Sequence, residues 1–170
     1  MTRFAILAGL ALALAGCGLR PLYGGGGSGT VAATLSAVEV APIPGQSGWL
    51  VRHALQERLG AAGTTAPAYR LEVELDDNIT SLGIRGDFAA TRERRTLRAR
   101  YRLVEIERGT VVVDATAGSD AGIDVVSSEY ATVAAEQTAI ERLSVEVADQ
   151  IVSRVALYAS RTAPARRNGR

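Results

Sequence analysis

From Thr91 to Leu103 the chain reads Thr-Arg-Glu-Arg-Arg-Thr-Leu-Arg-Ala-Arg-Tyr-Arg-Leu. Side chains of an extended strand alternate between two faces. Arg92, Arg94, Arg98, Arg100 and Arg102 therefore share one face, and Arg95 takes the other. Every basic residue of the chain is Arg and none is Lys. A guanidinium group forms planar, two-pronged hydrogen bonds to phosphate or carboxylate. The chemistry open to this stretch is anion binding or cross-strand ion pairing.

A candidate partner strand lies just upstream. Tyr69, Leu71, Val73 and Leu75 alternate with Arg70, Glu72, Glu74 and Asp76. An antiparallel register that sets Leu71 against Leu103 and Val73 against Tyr101 also sets Glu72 against Arg102, Glu74 against Arg100 and Asp76 against Arg98. That predicts a solvated ladder of opposite charges on one face. The same register sets Leu82, Thr80 and Ile79 against Arg92, Arg94 and Arg95. None of these is acidic, and only Glu93 and Asp87 lie nearby. Unmatched guanidinium groups near a hairpin tip suit a phosphate group. The competing reading is an edge kept soluble by charge. The candidate anion-binding residues are Arg92, Arg94 and Arg95, with Arg98 and Arg100 next in the stripe.

Other chemistry is poorly supported. The chain has one Cys and one His, which excludes a structural zinc site and an internal disulfide. His53 sits in a helical pattern without a nucleophile or acid at catalytic spacing, so it reads as a surface or packing residue. Asp76 with Asp77, and Asp120 with Asp124, lack the spacing of a calcium loop. There is no nucleophile elbow, phosphate-binding Gly loop or HExxH motif. The expectation is a protein that is not an enzyme and carries no metal and no cofactor. Trp49, near a helix start, reads as core or interface.

The elements that must position the stripe follow from periodicity. At 170 residues the chain holds about one domain. Its net charge of +1 argues against nucleic acid as a partner. Thr34 to Ile43 reads as a strand closed by Pro42 and Pro44. Ser47 can cap a helix over Trp49 to Leu59, which Gly60 would stop. The strand from Tyr69 reaches toward Leu82, and Gly83, Gly86 and Asp87 mark a turn. A second strand runs from about Ala90 to Ile106. Glu107-Arg108-Gly109 is a hairpin loop, and Val111 to Ala117 is the next strand. Ser127 or Ser128 opens a helix from Glu129 to Ser160. Its apolar stripe is Tyr130, Val133, Ile140, Leu143, Val147, Ile151, Val155 and Tyr158. The predicted fold is α+β: a two-layer sandwich in the order strand, helix, three strands, helix. Its mostly antiparallel sheet of about four strands carries two helices on one face.

The ends carry different signals. Arg3 precedes an apolar run from Phe4 to Ala15, too short to span a bilayer but suited to a secretory signal. The run ends Leu14-Ala15-Gly16-Cys17, which resembles the bacterial lipoprotein box. The resemblance implies cleavage before Cys17 and fatty acyl chains, palmitate among them, on that residue. Several acyl chains hold a protein on a membrane without a transmembrane helix. Gly18 resembles the default that directs lipoproteins to the outer membrane, facing the periplasm. The expected organisation is a signal peptide over 1–16, a lipidated Gly-rich tether over 17–30, an α+β domain over 31–160 and a disordered basic tail over 161–170.

Cys17-Gly18-Leu19-Arg20-Pro21-Leu22-Tyr23-Gly24 resembles the mature start of the alphaproteobacterial lipopolysaccharide-assembly lipoproteins, the LptE or RlpB family. Leu19 stands where that family commonly has Phe. The element order and the long last helix fit as well. The resemblance implies a protein that plugs the outer-membrane β-barrel LptD and assists its assembly. It would also help insert lipopolysaccharide into the outer leaflet. The implied partners are an LptD-like barrel, lipopolysaccharide and the membrane through the lipid anchor. Arg85, Gly86, Asp87 and Phe88 at the hairpin turn are the expected barrel contact. The alternative is an auxiliary lipoprotein of a periplasmic lipid-trafficking transporter, which would lack the Pro-Leu-Tyr signature.

Overall fold

A computed structural model describes residues 30–60, 66–84, 90–126 and 128–162. The signal segment, Cys17, the Gly-rich stretch, the turn Arg85 to Phe88, Ser127 and the last eight residues lie outside the described residues. The elements are α1 (Thr30–Ser36), β1 (Val38–Val40), α2 (Gly45–Leu59), β2 (Tyr69–Ile84), β3 (Ala90–Glu105), β4 (Thr110–Asp124) and α3 (Glu129–Thr162). The strands form one sheet in the order β1-β2-β3-β4. β1 runs parallel to β2, and the other pairings are antiparallel. The fold is α+β, with three helices among the described residues.

The β2–β3 hairpin has the register expected from its alternation. Leu71 faces Leu103, Val73 faces Tyr101, and Glu72, Glu74 and Asp76 face Arg102, Arg100 and Arg98. A shift of one residue would turn every apolar side chain to water, so burial of one face holds the register. Gly109 closes the β3–β4 turn at φ +64°, and its N–H donates to the carbonyl of Glu105 at 2.8 Å. That left-handed conformation favours Gly because a Cβ would crowd the carbonyl.

Three boundaries differ from expectation. Thr34 lies in α1, and the first strand is only Val38–Val40. Val31 and Leu35 are four apart, so the apolar spacing fits a helix as well as a strand. α2 begins at Gly45 after Pro44, with no side-chain cap, rather than at Ser47. β4 continues to Asp124, beyond Ala117, because Ala117, Ala121 and Ile123 keep the two-residue period and are buried. Asp120 and Asp124 are therefore strand residues rather than loop acids.

α2 and α3 run parallel and are clamped at two points. Gln46 Nε2 donates to Gln137 Oε1 at 2.9 Å, and Arg58 pairs with Asp149. α3 packs on β4 and β3, while α2 reaches the start of β2. The core joins Val51, Leu55 and Leu59 of α2, Leu71, Leu97 and Leu103 of the sheet, and Leu143, Val147, Ile151 and Val155 of α3. The expected stripe of α3 is only partly core. Ile140 through Val155 are buried, but Tyr130 is 84% exposed and Val133 57%. Leu143→Ala is expected to cost about 2–5 kcal/mol in urea denaturation, against about 0.5 kcal/mol or less for Val133→Ala.

Candidate functional site

With the helices on one side, the other face of the sheet is left to water. Even-numbered positions of β2, β3 and β4 point to it, bringing Arg92, Arg94, Arg98, Arg100 and Arg102 between acids on both flanks. β2 supplies Glu72, Glu74 and Asp76, and β4 supplies Asp114, Asp120 and Asp124. Asp120 and Asp124 lie beyond the expected end of the strand at Ala117, and Asp114, although inside it, faces Arg102 only once β4 pairs with β3. Their alternation with Thr116, Gly118 and Gly122 was the available signal.

The ladder is asymmetric. Arg102 pairs with Glu72 at 3.1 Å, as expected. Arg100 turns away from Glu74 and binds both carboxylate oxygens of Asp114, at 3.2 and 3.4 Å. That bond to Asp114 raises the Arg100 pKa above its ordinary value. Arg98 turns from Asp76 to Asp120 at 3.2 Å and donates to the carbonyl of Ser119 at 3.3 Å. Its stem lies over Gly118, where any Cβ would strike it. A long side chain reaches a diagonal neighbour as easily as the facing one. The small residues of β4 leave room for that lean. These exposed pairs are screened by water and add little stability.

Near the hairpin tip the three candidate arginines separate. Arg92 pairs with Asp124 at 3.0 Å, an acid on β4 that the β2–β3 register did not reveal. Arg95, on the helix side, holds Asp77 through Nε and Nη2 at 2.9 and 2.7 Å, and its Nη1 donates to the Glu136 carbonyl at 3.1 Å. Its hydrogen bond to Asp77 raises its pKa, against the opposing effect of burial. Arg95 thus ties the first turns of α3 to the sheet. Arg94 has no acidic or hydrogen-bonding partner among the described residues. It stands exposed between Thr80 and Gly122, and the space above Gly122 is open.

Elsewhere, Trp49 is 64% exposed and stacks on His53, with ring centroids 5.6 Å apart. It is a surface residue and not core. His53 Nε2 lies 3.3 Å from Glu57 Oε1. Among the described residues no three His, Cys, Asp or Glu side chains gather to hold a metal. The chemistry available on the open face is anion recognition. The Arg95–Asp77 tie is structural. Asp77→Ala leaves a largely buried guanidinium unmatched and is expected to cost about 1–3 kcal/mol in urea denaturation, against about 0.5 kcal/mol or less for the adjacent, exposed Asp76→Ala.

Comparison with solved structures places this architecture among bacterial lipoproteins. A candidate lipoprotein from Caulobacter crescentus CB15 is 26% identical over 81% of this chain and 100% of its own, with a TM-score of 0.68. A minor lipoprotein from Acinetobacter baumannii is 16% identical over 72% of this chain and 92% of its own, with a TM-score of 0.57. Rare lipoprotein B from Shewanella oneidensis is 12% identical over 73% and 95%, with a TM-score of 0.56. The latter two share the fold. A search of curated proteins gave no match. The sequence model of LptE, described as lipopolysaccharide-assembly, matches residues 35–155. That span takes in β1 to β4, α2 and most of α3, the whole frame that carries the arginine face, and the chain belongs to the LptE family.

Proposed function

We propose that this protein is a lipoprotein of the outer membrane, anchored through Cys17 and facing the periplasm. It occupies the lumen of an LptD-like β-barrel, assists the barrel's assembly and helps deliver lipopolysaccharide to the outer leaflet. It acts by binding and occupancy rather than catalysis. The observation that carries this reading is the open sheet face. Its arginines and acids are interleaved, and four ion pairs cross it, which leaves a polar surface suited to a water-lined wall. Arg94 breaks the pattern. A guanidinium without a partner among the described residues, beside open space, suits a phosphate of lipid A. Arg92, Arg98 and Arg100, exposed but paired, would join by exchanging a carboxylate for phosphate. Arg95 is left out because its donors are held by Asp77 and Glu136. Arg85 to Phe88, which link β2 to β3 in the sequence, are proposed to meet the barrel wall.

The test begins with binding. Losing a charge-assisted hydrogen bond costs about 1.5–3 kcal/mol, so Arg94→Glu is expected to weaken lipopolysaccharide binding by about ten- to a hundredfold. Circular dichroism and the thermal midpoint should stay unchanged. Equal binding by a folded Arg94→Glu protein removes the phosphate contact. For the anchor, Cys17→Ser is expected to abolish palmitate labelling and release the protein from envelopes. Gentle detergent pull-down should bring a stoichiometric outer-membrane barrel. An inner-membrane transporter in its place would favour the auxiliary-lipoprotein role.

A further inference from the structure

The two long edges of the sheet are finished differently. On β4, the side-chain amide of Gln150 accepts from the Gly118 N–H and donates to the Gly118 carbonyl, both at 3.1 Å. It imitates one residue of a neighbouring strand. Asp114, Asp120 and Asp124 stand at the same parity, and charge along an edge discourages pairing with another chain. Because Gly118 points its backbone outward, Arg98 turns its own N–H and carbonyl toward Asp76. Even-numbered residues of β2 therefore bond to β3, and odd-numbered ones point away from it. The Ala41 N–H meeting the Leu71 carbonyl at 3.0 Å agrees with this parity.

β1 covers only Tyr69 to Leu71 of that edge. Beyond it, the outward backbone groups of Val73, Leu75, Asp77, Ile79 and Ser81 meet no partner among the described residues. Asn78, Ile79, Thr80 and Ser81 are exposed, and the apolar Ile79 is 40% exposed. From Asn78 to Leu82 there is no charge and no Pro. The carboxylate of Asp77 is drawn inward by Arg95. Devices that guard an edge are present on β4 and missing here.

We propose that the β2 edge from Asp77 to Leu82 is a docking site for an extended, uncharged segment of the β-barrel partner, added antiparallel as a further strand. This rests on the barrel reading given above. A closed barrel has no free edge of its own, so the segment is a loop turned into the lumen or a stretch outside the barrel wall. A second copy of this chain is a poor occupant. Pairing of so short an edge, with Ile79 and Leu82 as its main apolar side chains, buries well under the roughly 1,200 Å² of a stable interface. A barrel that already encloses this protein presents its segment at high effective concentration, and a short strand then suffices.

The experiment is residue-resolved hydrogen–deuterium exchange on the full chain, alone and in the complex purified from membranes with the barrel. Alone, the amides of Asn78 and Thr80 exchange slowly and those of Ile79 and Ser81 fast. In the complex Ile79 and Ser81 become slow as well. Ile79→Lys, at an exposed position, keeps the first pattern and lowers barrel recovery by about tenfold, as a charge set into an edge should. A barrel that co-purifies while Ile79 and Ser81 stay fast overturns strand addition and leaves the barrel reading intact. Slowing without the barrel as protein concentration rises assigns the edge to a second copy and overturns the proposed occupant. Absence of any barrel overturns both readings.

Discussion

Burial of one face of β3 under α3, while the other face stays in water, is the constraint on which the rest depends. Leu97, Ala99, Tyr101 and Leu103 lie under the helices and are 2% exposed or less. The residues between them must then point outward, and most of them are Arg. The position of the arginine face is a consequence of packing on the opposite side. Water on that face keeps the charges affordable, because exposed guanidinium groups lose little hydration.

The ion pairs serve pattern more than stability. Exposed pairs contribute little, so the energy of the fold resides in the apolar layer. The acids instead neutralise four of the five arginines of the β3 stripe and leave Arg94 without a partner among the described residues. Asp114 and Asp120 draw Arg100 and Arg98 toward β4, and Asp124 takes Arg92. Arg94 lies between Thr80 and Gly122, which carry no carboxylate, and the diagonal Asp120 and Asp124 are held by Arg98 and Arg92. The same strands place the charge guards on β4 and leave the far half of β2 without them.

Arg95 is the counterpart on the helix side. One guanidinium is shared between Asp77 of β2 and the carbonyl of Glu136 in α3. It fastens α3 at Glu136, just after the exposed Tyr130 and Val133 and before the buried stripe begins at Ala139. Two hydrogen bonds to Asp77 fix the guanidinium on the sheet, and the third, to the Glu136 carbonyl, holds the helix where apolar contact is thin.

Much of this was legible in the residues themselves. The two-residue period settles the faces of β2 and β3. The match of Leu71 with Leu103 and Val73 with Tyr101 settles their register, because a shift would expose both rows. Local patterns also show the long last helix and the turn at Gly109. The pairing of Arg95 with Asp77, the lean of Arg98 and Arg100 toward β4, and the exposure of Tyr130 were not legible. Each depends on a side chain reaching across to another element, or on where a helix outruns the sheet it covers. The short helix before β1 was misread because spacings of four and two coincide over so few residues. Alternation along one strand is a local property that sequence carries alone. The choice among carboxylates on two neighbouring strands, and the edge left without a partner, exist only once the third dimension sets distances.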